Sequence, residues 1–309
     1  MKVIASPRVS IGRNTHATSV RPTADDDRQV RSRPARLSVC FGHSPAFTLL
    51  ELLIVITIIT ILAALLLSAV AKVKDKARTI DCNNRQRQWS WAFSLYVDDG
   101  GGTIPREGYD PLGEVVLNSW TQVVGFRQPD GRSDTDDVWY NALPSYLSQQ
   151  PTSYYASPPL RRVEFYEPRQ LIHCPSAMFP KEAYRPNYQS PLFSLSMNSQ
   201  LINPGDGPTV KFDAIEQVDS SRVVLFLDNR LQGEAKVHPA MANENLGQPS
   251  SYADRFSARH SGGGNLAFAD GHVQWYPGPK VVQTDNYSPL RGGPIIDSTE
   301  IVWELPYRR

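Results

Sequence analysis

From Leu52 to Val70 the chain runs nineteen residues without a charge. As a helix this is about one bilayer crossing, at roughly twenty residues per span. One carboxylate, Glu51, stands at the start of the run. An ionised side chain in a membrane helix costs about 2.5–3.5 kcal/mol on insertion scales, so Glu51 reads as functional. The alternative for the run is a cleaved secretory signal, since Ala69-Val70-Ala71 offers an A-x-A site after it. Such signals carry apolar regions of about 7–15 residues, shorter than this one. Arg28, Arg31, Arg33 and Arg36 precede the run, and Lys72, Lys74, Lys76, Arg78, Arg85 and Arg87 follow it. Counting alone places the C-terminal side in the cytoplasm.

The helix is expected to continue past the run. Val70, Val73, Ala77, Ile80, Asn84, Trp91 and Leu95 step by three, four or seven residues, which keeps them near one face. No Pro or Gly interrupts until Gly100, and Asp98-Asp99-Gly100-Gly101-Gly102 is a stop signal. One helix is therefore expected from about Phe47 to Tyr96. Its first part, residues 47–70, faces lipid. Its second part, 71–97, is amphipathic and buries the stripe against a globular head, residues 98–309.

The 309 residues carry a net charge of +1. Residues 1–46 hold eight Lys/Arg and three Asp/Glu, leaving 24 basic and 28 acidic residues beyond them. Basic residues thus do not cluster on the globular part, and nucleic-acid binding is not indicated. The first 46 residues are Arg-, Ser- and Pro-rich, the composition of a disordered leader. Nine prolines between Pro144 and Pro191 predict loops with short helices or strands. Val223–Leu227 reads as a buried strand. Asp270-Gly271 reads as a two-residue type I′ turn joining strands on either side. That register pairs Phe268 with Val273, Ala267 with Gln274 and Leu266 with Trp275. It predicts a half-buried hairpin.

Candidate chemistry is sparse. His173, Cys174, His238, His260 and His272 form no H-E-x-x-H, paired C-x-x-C or G-x-S-x-G pattern. A non-enzyme without a resident metal is expected, with His260 hydrogen-bonding the hairpin or a nearby loop and Asp270 serving its turn. Asp134, Asp136 and Asp137 offer close oxygen ligands for calcium, although a solvated loop explains them as well. Ser261-Gly262-Gly263-Gly264 lacks the frame of a phosphate loop and reads as a turn.

Phe47-Thr48-Leu49-Leu50-Glu51, preceded by Ala46 and an Arg-rich stretch, resembles the start of type IV prepilins and type II secretion pseudopilins. The resemblance implies cleavage between Ala46 and Phe47 by a membrane prepilin peptidase, then N-methylation of Phe47. The family usually has Gly where Ala46 stands, and Ala is a tolerated variant. Glu51 becomes the fifth mature residue, which in that family pairs with a neighbouring subunit's terminal amine. His260, nine residues, then Asp270-Gly271 is similar to the H-x9-DG element of large pilin-like proteins from planctomycete and verrucomicrobial bacteria. Cys82-Asn83-Asn84 with Tyr96 and Pro105, His173-Cys174-Pro175-Ser176, and Ser196-Met197-Asn198 fit that group too.

The implied fold is α+β and pilin-like, a long N-terminal helix packed on an antiparallel sheet with Pro-rich loops. The implied protein is a single-pass inner-membrane subunit of a pseudopilus or pilus, with its head in the periplasm. Its partners are the peptidase, other pilin subunits and an assembly platform. In that oxidising compartment, Cys82 and Cys174 are expected to form a disulfide. A surface-binding or adhesion module is the alternative, and an anchored hydrolase is a third reading without a motif.

Overall fold

A computed structural model describes residues 47–106, 117–125, 138–201, 210–239, 241, 243–282, 287–288, 293–294, 300–303 and 305. The leader with Cys40 and Ala46, and the cluster Asp134, Asp136 and Asp137, lie outside the described residues. The chain divides into two compact units, one ending at Thr57 and one starting at Ile58. The fold is mixed α and β, with one long N-terminal helix and a five-stranded mixed sheet.

Helix α1 spans Leu49–Asp99, 51 residues, close to the expected limits. Its start is a capping box. Thr48 Oγ1 accepts from Glu51 N at 3.1 Å, and Glu51 Oε2 accepts from Thr48 N at 2.9 Å and Thr48 Oγ1 at 2.8 Å. Its end is a glycine stop. Gly101 has φ +60°, and Gly102 N donates to Val97 O at 2.8 Å, so the last turn's carbonyl is satisfied. The apolar part is long and apolar enough to span a membrane and is wholly exposed. Hydroxyls in that part bond within the helix: Thr57 Oγ1 donates to Ile54 O at 2.7 Å and Ser68 Oγ to Leu65 O at 2.9 Å. Lipid offers such groups no other partner.

The buried face of α1 is not the expected stripe. Ile80 is 60% exposed and Trp91 58%, and Val70, Val73, Asn84 and Leu95 are exposed as well. The head instead takes Cys82, Gln86, Trp89, Phe93 and Val97. Thr79 and Asp75, half-buried, extend this second stripe one and two turns back. At 100° per residue the two stripes lie on roughly opposite sides of the helix. The reason is chemical. The inward face carries polar groups whose partners the head provides, so apolar spacing alone does not find it.

Strands β1 (Leu195–Asn198), β2 (Val224–Asp228), β3 (Ser250–Ser251), β4 (Gly263–Phe268) and β5 (Val273–Pro277) form one sheet in the order β3-β1-β2-β4-β5. Only β1 and β3 run parallel. β2, expected from the apolar run, is buried throughout. On one side of the sheet, Phe226 meets Trp89, Phe93 and Trp139 at ring distances of 6.4, 6.5 and 5.3 Å. On the other side Val224, Leu227, Leu266 and Phe268 pack with Tyr276, Ile301 and Trp303. Covering both faces of the central strands explains their unbroken apolar runs. The Pro-rich stretch folds into short helices, including Thr152–Ala156 and Arg161–Phe165.

A register shift lies between Val224 and Phe226 of β2, opposite Phe268 and Ala267 of β4. Leu225 is the extra residue of a β-bulge. Leu225 and Phe226 both pack in the core on the α1 side. The bulge inverts the alternation after it, so Leu227 turns to the far side and Asp228 toward α1.

The hairpin between β4 and β5 differs from expectation by one residue. Ala267 pairs with Val273, Leu266 with Gln274 and Asn265 with Trp275. Phe268 N donates to His272 O and Gly271 N to Phe268 O, both at 2.9 Å, which closes a three-residue loop. Gly271, at φ +90°, takes the left-handed position after a tight turn. The two-residue turn occurs instead at Ser261-Gly262, φ +54° and +84°, where His260 and Gly263 exchange both backbone hydrogen bonds. The one-residue change moves Val273 and Trp275 to the face of Ala267. β4 is buried on both faces rather than half-buried.

The glycines of this region do different jobs. A Cβ on Gly264 would lie 2.3 Å from Ser257 O, whereas one on Gly271 meets nothing nearer than the Trp91 ring at 3.9 Å. Gly271→Ala should therefore cost only its backbone strain, about 1–3 kcal/mol. Gly264→Ala should cost more, because backbone must move. Thermal melting of both full-length variants in detergent checks this, and equal losses would contradict the packing described.

Candidate functional site

Four donor side chains from four parts of the head meet beneath α1: Cys82 from the helix, Cys174 from the Pro-rich stretch, Asp228 from β2 and His260 from the turn before β4. Their donor atoms all lie within 4.8 Å of one another. The residues are 2%, 6%, 0% and 0% exposed, respectively, so the group is closed to solvent. Cys82 Sγ donates to Asp228 Oδ1 at 3.1 Å. His260 Nε2 is 3.2 Å from Cys174 Sγ and 3.6 Å from Asp228 Oδ2.

Each member is held by its own local structure. Arg85, one turn along α1 from Cys82, donates from Nη1 to Gln170 O and His173 O, both at 2.8 Å, and from Nη2 to Pro168 O at 3.0 Å. This clamp fixes the loop that delivers Cys174. Cys174 N donates to Ser194 Oγ at 2.7 Å, tying the same loop to the start of β1. Ser176 N points at Cys174 Sγ at 3.4 Å. Asp228, turned inward by the bulge, accepts at Oδ2 from Asn265 N at 2.8 Å and Asn265 Nδ2 at 3.2 Å. His260 is set by α1. Ser261 Oγ donates to Asp75 Oδ2 at 2.6 Å, and Thr79 Oγ1 lies 3.2 Å from His260 Nδ1.

The tautomer of His260 follows from counting protons. Thr79 has one hydroxyl proton, and it goes to Asp75 O at 3.0 Å. Thr79 Oγ1 must then accept, so His260 Nδ1 carries a proton and donates. Nε2 faces Cys174 and Asp228.

Burial and mutual charge split the two thiols. Burial, then Cys174 and the Asp228 charge, push the Cys82 thiol well up. Burial opposes ionisation of Cys174 as well, but hydrogen bonds with Cys82 and His260 and the Arg259 cation outweigh it and hold that thiol well down. Burial chiefly raises the Asp228 carboxyl. Arg259, paired with Glu234 at 3.1 Å, supplies the nearby positive charge.

A nucleophile-and-base reading does not fit. In such a triad the orienting carboxylate sits on the imidazole nitrogen away from the nucleophile. Here Asp228 and Cys174 share the same nitrogen of His260, and the other nitrogen goes to Thr79. The donor set matches a soft divalent metal instead, since sulfur and imidazole are preferred by such ions.

Among the described residues, His173, His238 and His272 fall outside the group. His173, next to Cys174, lies in an aromatic box, stacked on Tyr166 at 5.6 Å and edge-on to Phe165 at 4.6 Å. Burial lowers its pKa to about 3, so it is neutral. His272 stacks on Phe268 at 4.3 Å and its Nδ1 contacts Asp270 Oδ1 at 2.6 Å. Asp270 Oδ1 also accepts from His272 N at 3.0 Å, completing the turn role expected of it. His260 does bond the hairpin, its carbonyl accepting from Trp275 Nε1 at 2.9 Å, but its ring sits among the other donors.

The disulfide expected between Cys82 and Cys174 is not formed: both are free thiols, Cys82 engaged by Asp228 and Cys174 by His260. Asp228 carries no motif of its own and could not be found from sequence. The nearest signal is an acidic residue closing the apolar run Val223–Leu227. Phe47 and Glu51 belong to the other unit, both exposed, and Glu51 is engaged in the capping box. Comparison with known protein families, curated proteins and solved structures finds no match to this chain.

The free thiols give a direct check. Alkylation of the full chain without reductant should label Cys82 and Cys174 after denaturation and neither before it. A mass lower by two hydrogens, with no labelling after denaturation, would show a disulfide.

Proposed function

We propose that the protein is a prepilin-like subunit of a type IV pilus or type II secretion pseudopilus, anchored by α1 and carrying the remaining structure as its head. The observation that carries this reading is the outward face of α1. Val73, Ile80, Trp91 and Leu95 keep large apolar side chains exposed well past the span. Ile80 to Leu95 alone covers about 22 Å of helix, at 1.5 Å per residue. A simple anchor has no use for such a stripe, whereas a filament buries it between neighbouring helices.

Glu51 fits the same scheme. Its carboxylate caps the helix, which the helix dipole also favours. In lipid an ionised group still needs a cation, and the terminal amine of a neighbouring Phe47 supplies one. The head then lies in the periplasm, and prepilin peptidase acts between Ala46 and Phe47. The assembly platform and sister subunits are the partners.

N-terminal and intact-mass analysis of the membrane-extracted chain should find N-methylated Phe47 as the first residue. A chain beginning at Lys72, the product of signal peptidase, would refute the reading.

Assembly is tested separately. Glu51→Ala and Trp91→Glu should both insert and fold, yet vanish from sheared filaments. Wild-type incorporation of either variant would remove its assigned role.

A further inference from the structure

We propose that Cys82, Cys174, Asp228 and His260 bind one thiophilic divalent metal ion, zinc, in a closed tetrahedral site that staples α1 to the sheet. The donor spacing supports this. A tetrahedral zinc ion with bonds of about 2.0–2.3 Å has ligand–ligand edges of roughly 3.3–3.8 Å. The contacts present are 3.1 Å for Cys82 to Asp228 Oδ1, 3.2 Å for Cys174 to His260 and 3.6 Å for His260 to the other oxygen, Asp228 Oδ2. Seating the ion lengthens these short contacts by a few tenths of an ångström and draws in the wider separations, which reach up to 4.8 Å. Two sulfurs and an imidazole select against calcium and magnesium, which take oxygen.

The surroundings are those of a metal site. Metal-bound histidines donate their second ring nitrogen to a fixed acceptor, which sets the tautomer. Thr79 performs this for His260, so Nε2 is the ring nitrogen that faces the other donors. Asp228 is oriented by both amide groups of Asn265, and Cys174 Sγ receives the N–H of Ser176. On binding, Cys82 Sγ and His260 Nε2 each give up a proton to solvent, and two thiolates, one carboxylate and the neutral imidazole coordinate the ion. The divalent ion leaves one net negative charge, beside the buried Arg259 guanidinium. All four positions are taken by protein and the group is shut from solvent, so the role is structural rather than catalytic.

The experiment uses the full-length protein in detergent. Elemental analysis of the protein as isolated should find one zinc per chain. After chelation, added cobalt should give the visible bands of a tetrahedral ion and a thiolate-to-cobalt charge-transfer band. Cys82→Ser and His260→Ala should abolish that spectrum. Thr79→Val, which contacts no metal, should keep the band positions and weaken zinc binding by about 10–100-fold. Should the ligand variants fail to fold, the wild-type spectrum and Thr79→Val decide. The proposal is overturned if wild-type cobalt shows an octahedral spectrum without thiolate bands. It is equally overturned if the isolated protein holds a Cys82–Cys174 disulfide that takes up no cobalt once reduced, or if Thr79→Val binds zinc like wild type.

Discussion

The Cys82–Asp228 contact, 3.1 Å and out of reach of water, joins the long helix to the central strand of the sheet. Around it, the inward stripe of α1 meets the head at every turn. Asp75 and Thr79 hold the turn at His260, Gln86 Nε2 donates to Asn265 O at 3.4 Å, and Trp89 Nε1 donates to Leu171 O at 3.0 Å. Phe93 and Val97 then enter the apolar core. Buried polar groups are costly unless paired, which makes this face specific in register as well as adhesive. A shift of the helix by one residue would leave several of these groups without partners.

Several features elsewhere serve this one face. The bulge at Leu225 turns Asp228 inward. The glycines at 263 and 264 let β4 approach β5 and the Ser257 segment, which brings His260 beneath Thr79. Arg85 draws in the Pro-rich stretch and with it Cys174. The second half of α1 is thus a core element of the head, and a fragment starting at residue 97 would lack Trp89 and Phe93. The opposite side of the same helix keeps Val73, Ile80, Trp91 and Leu95 exposed, with the polar Asn84 and Arg87 between Ile80 and Trp91.

The large elements were legible in the sequence, because they depend on local rules. Uninterrupted helix formers, the glycine stop after Asp99, and the apolar run at Val223–Leu227 each announce an element directly. The capping box Thr48-x-x-Glu51 is equally visible in the sequence. What failed was everything set by pairing across distance. The apolar stripe suggests an inward face because burial usually follows hydrophobicity, but the face that packs mixes Trp89, Phe93 and Val97 with polar groups such as Thr79 and Gln86 that have built partners. The hairpin register slipped by one because Asp270-Gly271 suits either a two-residue or a three-residue loop. Cys82, Cys174, Asp228 and His260 are separated by 92, 54 and 32 residues in the chain, so no spacing motif marks them.

Hydrogen exchange on the full chain in detergent tests most directly whether α1 and the sheet form one cooperative unit. Amides from Cys82 to Val97 should exchange through the same global opening as those of β2 and β4, with equal free energies. Helix amides that exchange through an easier opening, while β2 and β4 stay protected, would contradict this account.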